Sequence, residues 1–253
     1  MKKNMEENNK SLIFEGMVSV RAVIESGKRS IERVYYDEKR AQSHKSELAW
    51  LGHRADEQGF EIELCEKEKI DTIASGGTHG GVCALCCERE IRPLTANDVI
   101  EGGFYLILEG IEDPFNFGFA VRSAYAAGAD GIILPPRNWM DSAGTVCRSS
   151  AGASERIPMF IIPEGDVSAV FKPKGYKLAA AEIADSEPMW DADLSRPLAL
   201  VIGGEKRGIS RSLLDKCDAR VRIEYGRGFN QSLSAASASA VLCFEVMRQN
   251  RAK

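Results

Sequence analysis

Three stretches in the second half of this chain concentrate residue types that can hold and orient a ligand. The first is Glu112-Asp113-Pro114-Phe115-Asn116-Phe117-Gly118, with Arg122-Ser123 shortly after it. It joins an apolar run at 104–108 to a helix predicted over 117–127. Asn116 and Arg122 are six apart, a spacing that lets both lie near the helix's N-terminal end, where the helix dipole favours phosphate. The same residues equally suit Asp113 or Asn116 as a plain N-cap and Arg122 as a surface salt-bridge partner. The second stretch, Gly203-Gly204-Glu205-Lys206-Arg207-Gly208, follows the continuous apolar run 198–202 and precedes Ser210, a helix N-cap type. A strand buried on both faces that ends in glycines delivers a loop to the carboxyl edge of a parallel sheet. There the glycines let backbone amides approach a ligand, and Glu205 sets one carboxylate among them. A tight strand-to-helix turn would look the same. The third stretch runs Ile223-Glu224-Tyr225-Gly226-Arg227-Gly228-Phe229-Asn230-Gln231-Ser232-Leu233-Ser234. Its glycines and amides suit a cradle, while Asn230 or Ser232 could equally be a cap. None of the three is the G-x-G-x-x-G of a dinucleotide site.

These loops need a scaffold of alternating strands and helices, and the apolar periodicity supplies one. Strands are predicted at 104–108, 131–134, 159–162, 177–181, 198–202 and 221–223, with helices at 117–127, 141–150 and 232–248. The last helix is rich in Ala and Ser, which suits close packing against a helix of a second subunit or of its own domain. Ahead of this lies a smaller α/β series: strands at 31–36, 60–64 and 82–87, and helices at 16–26, 45–58 and 67–74. Arg92-Pro93-Leu94-Thr95-Ala96-Asn97-Asp98 breaks the pattern. The organisation expected is therefore a flexible tail (1–10), a small α/β domain (11–92), a linker (93–103) and a larger α/β domain (104–253).

With 253 residues, 44% hydrophobic and 28% charged, the chain has the composition of an ordinary globular protein. It shows no membrane-length apolar run and no signal peptide, so a cytoplasmic setting is expected. A formal net charge of −4 gives no global nucleic-acid footprint, so any RNA must be held by local patches. Cys83, Cys86 and Cys87 include a C-x-x-C spacing, but the other cysteines are scattered singly. They are expected to be small apolar strand residues, with no metal.

Taken in order, the motifs resemble those of the SpoU (TrmH-type) RNA 2′-O-ribose methyltransferases of the SPOUT superfamily. The resemblance covers roughly 104–249. It rests on Asp113-Pro114-Phe115-Asn116-Phe117-Gly118 with Arg122-Ser123-Ala124 and Ala127-Gly128, and on Ser149-Ser150-Ala151-Gly152-Ala153. Gly203-Gly204-Glu205 with Gly208 follows, and Ser232-Leu233 and Phe244-Glu245 close the series. The smaller domain is similar to the substrate-binding domain often fused ahead of that unit, through Gly16, the 31–36 strand and His79-Gly80-Gly81-Val82. His79 could also be a turn residue bonded to backbone.

The resemblance implies a parallel sheet closed by a deep trefoil knot, S-adenosylmethionine as cofactor, a homodimer, and RNA, ribosomal rather than transfer, as substrate. It implies cofactor contacts at Ala180, Ile202, Gly203, Gly204, Gly208, Ile223, Ser232 and Leu233, and catalytic roles for Arg122, Asn116, Glu205 and Ser232. A guanidinium is always protonated, so Arg122 is expected to clamp the target phosphate and stabilise the developing alkoxide rather than act as a base. One motif departs from the family's Ser-Leu-Asn-x-Ser: Ser234 and Ala236 replace the asparagine and second serine, and Asn230 is an alternative source of the amide. The rival reading is a non-catalytic RNA-binding or ribosome-assembly factor that kept the fold.

Overall fold

The computed structural model describes residues 11–136, 142–163 and 166–251, which divide into two compact units. Residues 11–90 and 142–156 form the first; residues 91–136, 157–163 and 166–251 form the second. The expected tail 1–10, and Asp141 at the start of an expected helix, lie outside the described residues.

In the first unit, strands β1 (Leu12–Glu15), β2 (Ile31–Asp37), β3 (Glu61–Cys65) and β4 (Val82–Cys86) align in the order β1-β4-β2-β3. β4 is antiparallel to both its neighbours, while β2 and β3 are parallel. Helices α1 (Met17–Ser26) and α3 (Lys45–Gln58) stop at Gly27 and Gly59, whose left-handed conformation glycine adopts without a Cβ clash. Between them, α2 (Glu38–Ser43) escapes the periodicity because it buries no residue; the Asp37 carboxylate caps it by accepting the Lys39 amide at 3.1 Å. α4 (Lys67–Ile73) follows β3. Phe14, Val23, Val34, Tyr36 and Leu51 are the centre of the core. Cys83 and Cys86, three apart on β4, fall on opposite sides of the sheet and cannot chelate one ion. Burial pushes both thiols up to about 12.

The second unit opens with β5 (Phe104–Glu109), α5 (Pro114–Ala126) and β6 (Gly131–Leu134). The chain next supplies α6 (Ala143–Ser149) and α7 (Ala153–Arg156) to the first unit. It resumes with β7 (Met159–Ile161), α8 (Ser168–Phe171), β8 (Lys177–Ala181), β9 (Glu187–Pro188), β10 (Leu198–Gly203), α9 (Arg211–Leu214), β11 (Ala219–Arg222) and α10 (Ala235–Gln249). All seven strands are parallel, in the order β7-β6-β5-β10-β8-β11-β9. The α/β class with a parallel sheet is thus as the sequence implied. β5 and β10 lie side by side at the centre, buried on both faces, which is why their sequences are unbroken apolar runs. Among the described residues no helix is long and apolar enough to cross a membrane.

The two compact units divide the chain differently from the expected domains at two places. Residues 93–103 are not a free linker but belong to the second unit. Leu94 is buried and its amide donates to the Ile161 carbonyl at 2.9 Å. The Tyr105 hydroxyl donates to the Asp98 carbonyl at 2.7 Å, and the Tyr176 hydroxyl to that of Ile100 at 2.6 Å. Residues 142–156, expected within the larger domain, pack instead in the first unit. Their small residues make this possible. A Cβ on Gly144 would stand 2.1 Å from the Ile13 carbonyl oxygen, and one on Gly152 would stand 2.5 Å from the Ala22 Cβ. Cys147 joins the core beside Phe14.

The strongest tie is ionic. Glu155, 1% exposed, accepts from Arg29 through Nε at 2.9 Å and Nη2 at 3.2 Å, and Arg89 lies 3.6 Å away. Arg29 also stacks over the Phe14 ring at 4.8 Å. Removing this carboxylate's charge strands two buried guanidiniums without an anion. Glu155→Gln should therefore cost about 3–5 kcal/mol, read as a fall in the urea midpoint; an unchanged midpoint would show the cluster to be energetically idle.

Candidate active site

The carboxyl ends of β8, β10 and β11 open onto a cavity of about 550 Å³. Its walls come from the β10 end and the loop after it (Ile202, Gly203, Gly204, Glu205, Gly208), and from the chain between β11 and α10 (Ile223, Tyr225, Phe229, Asn230, Ser232, Leu233). Ala181 and Glu182 at the end of β8 and Leu242 of α10 complete it.

Backbone proximity shapes the floor. The Gly204 amide donates to the Glu109 carbonyl at 2.6 Å, joining the ends of the two central strands. A Cβ on Gly204 would stand 2.0 Å from the Gly110 carbonyl oxygen, and one on Gly203 would stand 2.4 Å from the Gly208 carbonyl carbon. Neither is an L side chain's distance, so these two glycines are required by contact. The Gly208 amide donates to the Gly204 carbonyl at 2.9 Å, which closes 204–208 on itself and leaves Glu205, Lys206 and Arg207 exposed at the tip. Lys206 is paired with Glu112 at 2.7 Å.

Glu205 connects two helix starts. Its Oε1 accepts from Asn116 Nδ2 at 3.0 Å and from the Ala235 amide at 3.2 Å, at the N-termini of α5 and α10. A carboxylate there complements the partial positive charge of both helix ends. Asp113 caps α5 by accepting the Asn116 amide at 2.8 Å. Of the two roles open for Asn116, capping therefore falls to Asp113 and the amide side chain is left for Glu205.

The placement of Arg122 is a correction. With Asp113 as cap and Pro114 at the first helical position, α5 begins three residues earlier than the expected start at Phe117. Arg122 then sits eight residues beyond Pro114, roughly 12 Å along the axis and past the reach of the helix dipole. It is exposed, and no described side chain pairs with it, so the salt-bridge alternative is not realised either. Asn116 and Glu205 are joined directly; Arg122 is not held by them.

The other expected residues fall as follows. Ile202, Gly203, Gly204, Gly208, Ile223, Ser232 and Leu233 all line the cavity. Ala180 does not: alternation along β8 turns it into the core beside Leu178 and Val201, and Ala181 reaches the cavity instead. Ser234 is the cap of α10, its Oγ accepting the Ser237 amide at 3.1 Å, while Asn230 lines the cavity. In the first unit His79 is a buried turn residue. Its Nδ1 accepts the Gly81 amide at 3.1 Å, so Nε2 donates to Asp71 at 2.6 Å.

Two contributors went unrecognised. The Tyr225 hydroxyl accepts the Leu233 amide at 3.1 Å and so braces the third loop across the cavity wall. Glu109 Oε2 accepts the Ser210 amide at 2.7 Å and fixes the exit of the second loop. Glu109 and Ser210 are far apart in sequence, Tyr225 and Leu233 share one loop, and in neither case does the residue type signal the contact.

The SpoU rRNA Methylase family matches residues 103–244, and the RNA 2′-O ribose methyltransferase substrate binding family matches residues 13–91. A Staphylococcus haemolyticus protein assigned to the TrmH family of tRNA/rRNA methyltransferases is 31% identical over 94% of this chain and 96% of its own length. A Bacillus subtilis protein with the same family assignment, YacO, is 31% identical over 92% and 95%. An AdoMet-bound rRNA methyltransferase from Sinorhizobium meliloti superposes with a TM-score of 0.78 at 26% identity, over 96% of this chain and 88% of that one. The SpoU methyltransferase AviRb from Streptomyces viridochromogenes shares the fold, with a TM-score of 0.75 at 23% identity over 94% and 90%.

The contact at Gly204 yields a direct test. Gly204→Ala should destabilise the second unit by about 1–3 kcal/mol, since backbone must give way. Gly226→Ala, where an added Cβ meets nothing within 4 Å, should be neutral. Equal thermal midpoints for the two variants would refute the close approach.

Proposed function

Because the chain belongs to the SpoU rRNA Methylase family, we propose that it methylates a ribose 2′-hydroxyl of RNA, ribosomal rather than transfer, using S-adenosylmethionine. The observation that carries this is the cavity at the carboxyl edge of the sheet, floored by Gly203 and Gly204 and flanked by the joined pair Asn116–Glu205. The donor fits these residues. Apolar Ile202, Ile223, Leu233 and Leu242 suit an adenine ring, and the bare backbone at Gly203, Gly204 and Gly208 suits close approach of its polar edges. When bound, it supplies an electrophilic methyl on a sulfonium.

The chain's own residues must deliver and deprotonate the hydroxyl. Arg122 cannot take the proton, since its guanidinium stays charged. It acts as a clamp on the phosphate beside the target ribose and stabilises the alkoxide as it develops, the phosphate sharing in proton removal. An exposed guanidinium with no partner among the described residues is available for that contact. Asn116 and Glu205 act as positioning residues that lock the starts of α5 and α10 around the cavity, and Ser232, exposed on its wall, contacts substrate or donor. Ser234 keeps α10 capped despite the altered third motif, which weakens the motif's support for a non-catalytic role.

Three further parts of the reading rest on the fold. The order β5-β10-β8-β11, in which β10 is inserted between earlier strands, supports the family's trefoil knot. Homodimerisation is supported by aromatics left uncovered on α5 and α10: Phe115, Phe119, Tyr125 and Phe244 are each over two-fifths exposed. The small residues Ala235 and Ser239 of α10 are already buried within the unit, so the dimer face is the aromatic one. The setting is cytoplasmic, where seven free cysteines stay reduced.

The activity is tested by incubating the protein with labelled S-adenosylmethionine and RNA from a strain lacking this gene, then analysing the nucleosides. A labelled 2′-O-methylnucleoside is expected. Arg122→Ala should lower transfer by about 10²–10³-fold while calorimetry finds donor binding intact; undiminished turnover would sink the mechanism. Sedimentation of Phe119→Asp should show monomers where the native chain sediments as a dimer, and a dimeric variant would place the interface elsewhere.

A further inference from the structure

Phe229 is the odd residue of the third loop. It is 57% exposed, the highest value for a phenylalanine among the described residues, yet it lines the cavity rather than lying on remote surface. Its neighbours are Gly226, Arg227, Gly228, Asn230 and Gln231, none of which buries it. Its ring contact is with Tyr225, with centroids 5.9 Å apart and planes inclined at 55°. Tyr225 in turn is fixed by its hydroxyl on the Leu233 amide at 3.1 Å. One ring is thus anchored to the cavity wall, and the second leans on it with most of its surface in water. Folding gains little from such an arrangement, since a hydrophobic ring left exposed contributes little burial.

Charge at the same place separates the possible ligands. Arg227 lies two residues before Phe229, and Arg207 sits at the exposed tip of the closed 204–208 loop, whose Gly204, Glu205 and Gly208 line the same cavity. Neither has a hydrogen-bonded or ion-paired partner among the described residues, even though Glu224 precedes Arg227 by three positions. The other described arginines of this unit ahead of residue 251, apart from Arg122, are paired: Arg92 with Asp98, Arg196 with Asp130, Arg211 with Asp215, Arg220 with Asp185, Arg222 with the Ser186 carbonyl, and Arg248 with Glu245. Unpaired guanidiniums repel a sulfonium donor that also carries an ammonium group, and attract a polyanion. Exposed aromatic surface interleaved with free arginines is the composition of a single-stranded nucleic-acid track.

We infer that Phe229, braced by Tyr225, is a stacking platform for an unpaired base of the RNA, with Arg227 and Arg207 holding the adjoining phosphates. This rests on the RNA reading of the cavity proposed above and assigns its mouth to a base rather than to the methyl donor. Stacking reads a π-face rather than a base edge, so the platform selects single-stranded or flipped-out nucleotides over paired ones. The arginines contribute affinity that falls with salt.

The test uses the full chain and a fluorescent oligouridylate decamer, with an abasic polyribose-phosphate decamer as its base-free counterpart, both read by anisotropy. The native protein should bind the oligouridylate more tightly. Phe229→Ala should weaken that binding about tenfold or more and leave the abasic affinity unchanged, erasing the difference between the two. Phe229→Tyr should restore it and Phe229→Leu should not, which separates a π-face from apolar bulk. Arg227→Ala should weaken both decamers alike and lower the slope of log affinity against log salt by about one. The inference is overturned if the native protein does not distinguish the two decamers, or if Phe229→Ala distinguishes them as well as the native protein does. Calorimetric titration with S-adenosylmethionine is run in parallel: absence of donor binding by the native protein would count against the proposed activity and not against the platform, whereas loss of donor binding in Phe229→Ala alone would assign the ring to the donor and overturn the platform.

Discussion

The second unit depends on how closely two backbones approach each other at the end of its central strands. β5 and β10 are in register from Phe104 and Leu198 to Glu109 and Gly203, and the ladder continues one step further through the Gly204 amide and the Glu109 carbonyl. At that point the chains are so close that the Gly110 carbonyl occupies the place of a Gly204 side chain. This contact fixes where the 204–208 loop leaves the sheet and where Glu205 stands. Glu205 then gathers Asn116 and the start of α10, so three loops distant in sequence are tied to one carboxylate. A single added methyl group at Gly204 would act on all of them, because each is positioned through the one before it.

The legible part of this arrangement follows from local rules. The apolar runs 104–108 and 198–202 marked buried strands because both faces of a parallel sheet are covered, and the glycines after β10 marked a close approach. Gly27 and Gly59 ended their helices as left-handed caps. What escaped were contacts that no local pattern encodes. Tyr225 holding Leu233 across a loop, Glu109 holding Ser210, and Gly110 filling the Gly204 side-chain position carry no periodic signal. α5 starts ahead of its apolar periodicity for a local reason: Pro114 is well suited to the first helical turn, where its missing amide costs nothing. That start puts Arg122 in the helix interior rather than at the dipole's end, so a phosphate contact there rests on the guanidinium's own charge and not on the dipole.

The domain boundary shows a different limit. Residues 142–156 lie in sequence between two strands of the larger sheet, so contiguity assigned them there. Their side chains decide otherwise. Gly144 and Gly152 are small where they meet β1 and α1, Cys147 is apolar where it meets Phe14, and Glu155 is charged where Arg29 and Arg89 are buried. Glu15 adds to this, accepting from Arg148 at 2.6 Å and from the Ser75 amide at 2.6 Å. A carboxylate can be buried only where cations or amides meet its oxygens, so Glu15 and Glu155 fix the segment's position more firmly than its apolar contacts alone would.

The same rule, applied to cations, locates the surface meant for something outside the chain. The protein is net acidic, and most arginines of the second unit are already neutralised by neighbours, so overall charge says nothing in favour of RNA. Among the described residues Arg122, Arg207, Arg227 and the C-terminal Arg251 are the exceptions; Arg122 lies within α5, while Arg207 and Arg227 lie on the second and third loops. Guanidiniums left unpaired on α5 and on the second and third loops, in a unit whose other described arginines ahead of residue 251 are paired, are a local feature that net charge conceals. On the proposed reading it would let a polyanion dock near the cavity whose floor the glycines keep open. On that reading the fold separates two tasks: backbone and apolar walls would hold the methyl donor inside the cavity, and unpartnered side chains outside it would meet the RNA.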